Sequence, residues 1–150
     1  MTEIFDKNGK PLECQCGCGL YFASDGIIKI LSDFLNYINN SFGDMYNLKL
    51  YNHSFCRCQK HNKAEGGYDK IKNDVHKVSL HVPIYFDKLQ NKKIKRNINA
   101  CDFHIEGLRI STLWKMAQDC HGLILTGGLG FYNSFIHVDN GSSRTFDYRS

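Results

Sequence analysis

The sequence predicts an α+β fold in which a mostly antiparallel sheet carries flanking helices. Three observations predict it: two apolar stripes at helical spacing, several alternating segments too short for helices, and turn residues between them. Ser24 can cap the first helix and Asp25 suits its first turn, with Ile27, Ile28, Ile30, Leu31, Phe34, Leu35 and Ile38 following at helical spacing. A turn is expected over residues 39–44, and residues 47–52 then alternate as a strand. Residues 61–67 read as a short helix stopped by Gly66 and Gly67, and residues 77–85 as extended chain. Over residues 101–105, Cys101, Phe103 and Ile105 share one face while Asp102 and His104 share the other. A second helix begins at Ser111, carries Leu113, Trp114, Met116, Ala117 and Cys120, and ends at Gly122. Residues 123–126, 135–139 and 144–148 are the closing strands, separated by glycine-rich turns.

Composition bounds what such a chain can be. With 150 residues, 42% of them hydrophobic, it can bury one good core, so a single domain over residues 1–150 is expected. The formal net charge of +4 is mild, which makes nucleic acid a poor candidate partner. Its excess sits in residues 88–96, Lys-Leu-Gln-Asn-Lys-Lys-Ile-Lys-Arg, a run that is either a solvated face or an attractor for polyanions such as wall polymers or nucleic acid. Residues 1–13 lack the apolar core of a secretory signal, and no run is long enough to span a bilayer. Synthesis in a cytoplasm without a signal peptide is therefore the expectation. Seven cysteines, an odd number in a reducing compartment, argue against a complete disulfide framework.

The chemistry concentrates in Phe135-Ile136-His137-Val138-Asp139. On a strand, His137 and Asp139 point the same way while Phe135, Ile136 and Val138 supply packing. An imidazole beside a carboxylate suits a metal and the water it activates. Upstream, Ser79-Leu80-His81 and Ala100-Cys101-Asp102 offer a second imidazole and a hard oxygen. Two histidines and a carboxylate with a fourth position open make a catalytic zinc site.

These segments also follow a familiar order. Ser54-Phe55-Cys56-Arg57-Cys58-Gln59-Lys60-His61-Asn62, Gly66-Gly67, Ser79-Leu80-His81, Ala100-Cys101-Asp102, Gly127-Gly128-Leu129-Gly130-Phe131-Tyr132 and Phe135-Ile136-His137-Val138-Asp139 resemble the zinc D-alanyl-D-alanine carboxypeptidase family. That family includes phage endolysin peptidases and shares its fold with the hedgehog signalling domain. The likeness runs from about residue 13 to the end of the chain. It implies a hedgehog/D-Ala-D-Ala-peptidase-like fold, one catalytic Zn2+ held by His81, Asp102 and His137, Arg57 as a catalytic residue that also binds substrate, and Tyr132 as a substrate-binding residue. It further implies hydrolysis of a peptide bond in the bacterial peptidoglycan stem, performed on the cell wall after release or as part of a phage particle.

Two departures from the family pattern shape the expectations. Relatives often carry an acid three residues before the last histidine ligand, where this chain has Ser134, a poor proton acceptor near neutral pH. Asp139 takes its place, either as the general base or as a carboxylate that orients a ligand. Relatives also keep the first histidine close to the aspartate, whereas residues 82–101 intervene here, which implies an inserted hairpin or flap at about residues 83–96. His76 is the rival ligand to His81. His53 and His121 read as surface or core histidines, and His104 shares a strand face with Asp102. Cys14, Cys16 and Cys18 together with Cys56 and Cys58 could hold a second, structural zinc, form a disulfide, or remain free thiols. Cys101 and Cys120 read as core residues.

Overall fold

The computed structural model describes residues 4–6, 25–42, 50–54, 57–96 and 100–149. In chain order its elements are β1 (Ile4–Asp6), α1 (Asp25–Phe42), β2 (Leu50–Ser54), α2 (Gln59–Ala64), β3 (Asp69–Lys72), β4 (Val75–Val78), β5 (Ile84–Asp87), β6 (Lys92–Lys95), β7 (Ala100–Ile105), α3 (Ile110–Cys120), β8 (Gly128–Phe131), β9 (Ile136–Asp139) and β10 (Arg144–Asp147). Six strands form one sheet in the order β1-β2-β7-β9-β8-β10, antiparallel through its centre and parallel only at the two outer pairs. The remaining four make two separate antiparallel hairpins, β3–β4 and β5–β6. The molecule is thus α+β with mostly antiparallel sheets. Among the described residues, no helix is long and apolar enough to cross a membrane.

The helices form where an apolar stripe demands it. Ile27, Leu31, Phe34, Leu35 and Ile38 are fully buried along α1, while Lys29 and Asp33 pair on its exposed side at 2.6 Å. The helix continues to Phe42, so residues 39–42 of the turn expected over residues 39–44 are helical, and the rest of that turn lies outside the described residues. Asn39, Asn40 and Ser41 each cost only a few tenths of a kcal/mol in a helix, and the Ser41 hydroxyl donates to the Tyr37 carbonyl one turn back. In α3, Leu113, Ala117 and Cys120 are buried, and Gly122 ends the turn beyond it at φ +89°. One core joins both helices to one face of the sheet through Cys101, Phe103 and Ile105 of β7, Leu129 and Phe131 of β8, and Ile136 and Val138 of β9.

Alternation then decides the opposite face. Asp102 and His104 on β7, His137 and Asp139 on β9, and Gly128 and Gly130 on β8 point away from the helices. Residues 123–126, expected as a strand, are a turn in which Leu123 is 82% exposed and only a single bridge joins His121 to Leu125. The strand lies instead in the glycine-rich stretch expected to be a turn, and Gly128–Phe131 is buried throughout. Residues 77–85 are likewise not continuously extended, because the chain turns at Leu80 and His81 between β4 and β5. The segment at residues 83–96 is the β5–β6 hairpin, closed at its base by the Arg96 amide donating to the Pro83 carbonyl at 2.9 Å.

Candidate metal centre

The sheet register assembles two thirds of the centre. β7 and β9 are antiparallel neighbours with Asp102 directly opposite His137, and both side chains occupy the face away from the helices. His81 arrives from the turn after β4, shaped by the Val82 amide donating to the Ser79 carbonyl at 3.0 Å and the His81 amide donating to the Ser79 hydroxyl at 3.3 Å. Residues 82–101 separate His81 from Asp102 in sequence, yet donor atoms of His81, Asp102 and His137 lie within 4.8 Å of one another. Asp102 bridges the other two, with Oδ1 at 2.8 Å from His137 Nδ1 and Oδ2 at 3.4 Å from His81 Nε2. All three are buried. Two imidazole nitrogens and a carboxylate converging on one point fit a divalent first-row metal with room for a further ligand.

The ionisable groups of the cluster are electrostatically coupled to one another. Burial opposes charge on His137, but Asp102 and Asp139 on either side outweigh it and raise its pKa to about 9. Burial likewise opposes charge on Asp102, and the two histidines more than offset it, holding this carboxyl well below the usual range.

Behind His137 stands Asp139. Its Oδ2 lies 2.7 Å from His137 Nε2, so an ionised Asp139 keeps the imidazole proton on Nε2 and leaves Nδ1 for a metal. Asp139 is itself fully engaged. Oδ1 accepts from the Gly128 and Gly141 amides, each at 2.9 Å, and the Arg144 guanidinium spans both oxygens at 3.1 and 2.8 Å. Burial resists its charge, but His137, Arg144 and the Gly128 amide keep its pKa well below the ordinary carboxylate value.

The glycines of β8 make this arrangement fit. A Cβ at Gly128 would fall 2.4 Å from Asp139 Oδ2 and 2.5 Å from Arg144 Nη1, and one at Gly130 would fall 2.1 Å from the Phe146 ring. Parallel pairing sets Arg144 beside Gly128 and Phe146 beside Gly130, so each large side chain of β10 lies over a residue with none. Phe146 also leans on the His137 ring, with centroids 5.3 Å apart.

A cleft of about 560 Å³ opens at His137, and its walls include Lys77, Ser79, Tyr132, Phe146 and Tyr148. Tyr132 stacks on Phe135 at 4.5 Å. Burial pushes its pKa up to about 12, with the charge on Asp102 and the neighbouring Tyr148 adding to the effect, so its hydroxyl stays a donor.

The other singled-out residues lie outside the cluster of three. The Arg57 amide donates to the His81 carbonyl at 2.7 Å, while its guanidinium reaches the Asn62 side chain at 3.3 Å. His76 is buried and away from the centre, its Nδ1 accepting from the Lys88 amide at 3.1 Å and its Nε2 against Asp69. That ring joins the two hairpins. His121 contacts the Gly127 carbonyl at 2.8 Å, and Ser134 is exposed. His104 is partly buried, which lowers its pKa against the pull of Glu106, and it belongs to neither the ligand cluster nor the cleft lining. Cys58 caps α2, its Sγ accepting from the His61 amide. Cys14, Cys16, Cys18 and Cys56 lie outside the described residues, as does the His53 side chain. Cys101 and Cys120 are buried in the core.

Arg144, Phe146, Tyr148 and Lys77 were not singled out from the sequence. The available signal was the two-residue alternation of Arg144, Phe146 and Tyr148, which puts all three on the face that carries His137. No family model, curated protein or solved structure matches the chain.

Proposed function

We propose that this protein is a zinc metallopeptidase that hydrolyses a peptide bond of the bacterial peptidoglycan stem, as a carboxypeptidase or an endopeptidase of the phage endolysin type or a related cell-wall hydrolase. The observation that carries this reading is the convergence of His81, Asp102 and His137 beside a cleft, joined to the ordered likeness of their motifs to zinc D-alanyl-D-alanine carboxypeptidases. A bound zinc acidifies a water molecule and polarises a carbonyl. His81, Asp102 and His137 would hold it, and Asp139 would fix the tautomer of His137 from behind. Tyr132 offers a protonated hydroxyl to a substrate oxygen at the cleft wall. Arg57 takes its proposed substrate role from the resemblance, and its amide ties it to the loop bearing His81.

Of the two roles open to Asp139, the geometry supports the orienting one, because both its oxygens are already bonded and its pKa is held low. No residue lining the cleft among those described is a carboxylate. That observation favours a second reading, a catalytically weak zinc-containing wall-binding or phage structural module. The deciding experiment incubates purified protein with peptidoglycan and identifies released termini by mass spectrometry, with zinc and with a chelator. The peptidase reading expects new termini that vanish with chelator and return with zinc. Zinc-loaded protein that sediments with walls and releases no termini would replace it with the second reading.

A further inference from the structure

His81 is the ligand with the least support from the sheet. Asp102 and His137 are fixed by a ladder of paired strands, whereas His81 rides on a turn whose backbone carbonyls need partners of their own. One side chain supplies most of them. Arg96 donates from Nε to the Val82 carbonyl at 3.0 Å and from Nη2 to the carbonyls of Val78, at 3.1 Å, and Ser79. Its guanidinium also lies 5.1 Å from the centre of the Tyr85 ring. The His81 carbonyl is taken separately by the Arg57 amide. Four of the five carbonyls from residue 78 to residue 82 thus have a donor from a distant part of the chain or from this one guanidinium. Arg96 reaches them because the β5–β6 hairpin returns its last residue to Pro83, immediately beside the turn.

The geometry points to Arg96 as a positioning residue of the metal centre: it fixes the turn that presents His81, so the hairpin over residues 84–95 is a support of the ligand set rather than a rim alone. This inference rests on His81, Asp102 and His137 binding a metal, and is independent of whether the protein cleaves peptides. A planar fork of donors is needed to serve three carbonyls at once, which a lysine ammonium, a single compact charge, does not reproduce. Arg96 is therefore distinct in role from Lys92, Lys93 and Lys95, which are exposed.

The test compares wild type, Arg96→Lys, Arg96→Ala and a variant with Lys92, Lys93 and Lys95 all changed to Gln. Zinc affinity is measured by chelator competition, the visible spectrum is recorded with Co2+, and amide exchange at Val82 is followed in metal-free protein. Arg96→Lys should remain folded, bind zinc about 10- to 100-fold more weakly, as loss of an outer support typically does, alter the Co2+ spectrum and exchange Val82 faster. The triple lysine variant should match wild type in all three. Arg96→Ala extends the series where it folds, and Arg96→Lys decides the question where it does not. Wild-type affinity and spectrum in Arg96→Lys would overturn the role of Arg96 and leave the metal reading intact. A wild-type protein that binds neither Zn2+ nor Co2+ would overturn both.

Discussion

At the scale of residues, the candidate centre would set protons against a metal at His137. Its pKa of about 9 is raised above the ordinary 6.5 by two carboxylates, so below pH 9 a metal must displace a proton from this imidazole. Apparent metal affinity should rise with pH by up to about tenfold per unit and level off near pH 9. Asp139 supplies part of that raised pKa. Asp139→Asn should move the levelling point to lower pH and weaken the plateau affinity by about 10- to 100-fold while the protein stays folded. The same shifts set the stability of the metal-free protein. A raised histidine pKa contributes stability in full below about 6.5 that is lost as pH climbs through 9, and the lowered pKa values of Asp102 and Asp139 contribute stability above about 3.8 that is lost on acidification. Chelator competition in wild type and Asp139→Asn, from about pH 5.5 to about pH 10, checks the prediction. An unchanged pH dependence in the variant would remove Asp139 from any hold on His137.

At the scale of elements, β8 shows why space matters more than propensity. Gly128 leaves room for the Asp139 carboxylate and the Arg144 fork, which meet beside it. Gly128→Ala should destabilise the fold by about 1–3 kcal/mol, the usual cost of overpacking, and weaken metal binding because the displaced groups are the ones that orient His137. Urea denaturation in chelator separates the first effect from the second, and full retention of both stability and affinity would show that β8 shifts to absorb the methyl group. The same strand marks where sequence reading failed. Helix α1 was legible because its stripe repeats over five buried positions, and β9 because Ile136 and Val138 flank His137 in strict alternation. Gly127-Gly128-Leu129-Gly130 carries turn residues by composition, and only the bulk of its spatial neighbours makes it a strand. Leu123 misled in the opposite sense, an apolar residue left exposed on a turn. That His81, Asp102 and His137 would come together was legible through their motifs, but the contacts of Arg144 and Arg96 were not, since local pattern does not encode them.

At the scale of the whole molecule, the sheet separates the core from the candidate site: helices and core cover one face, and the candidate metal cluster with its cleft occupies the other. The excursion between β2 and β7 delivers both His81 and two lysine-bearing hairpins to that second side, with Lys70, Lys72 and Lys77 exposed on one and Lys92, Lys93 and Lys95 on the other. Lysines on short, separate hairpins keep exposed strand edges from pairing with other chains, a sufficient reason for some of them. Their collective field has a further consequence if the substrate is a wall, because anionic polymer attached to peptidoglycan is attracted over a Debye length, about 10 Å at 0.1 M salt. Changing Lys92, Lys93 and Lys95 to Gln should therefore weaken binding to intact walls at low salt by severalfold, with the difference shrinking as salt rises, while hydrolysis of a small soluble stem peptide is unchanged. Arg96 stays untouched in this variant, since its guanidinium is committed to the carbonyls around His81. Sedimentation with walls at low and high salt, set beside turnover of the soluble peptide, distinguishes the outcomes. Equal losses on both substrates would mean that the hairpin lysines shape the cleft itself, and equal binding at low salt would mean that the wall is held by the cleft without help from the surrounding charge.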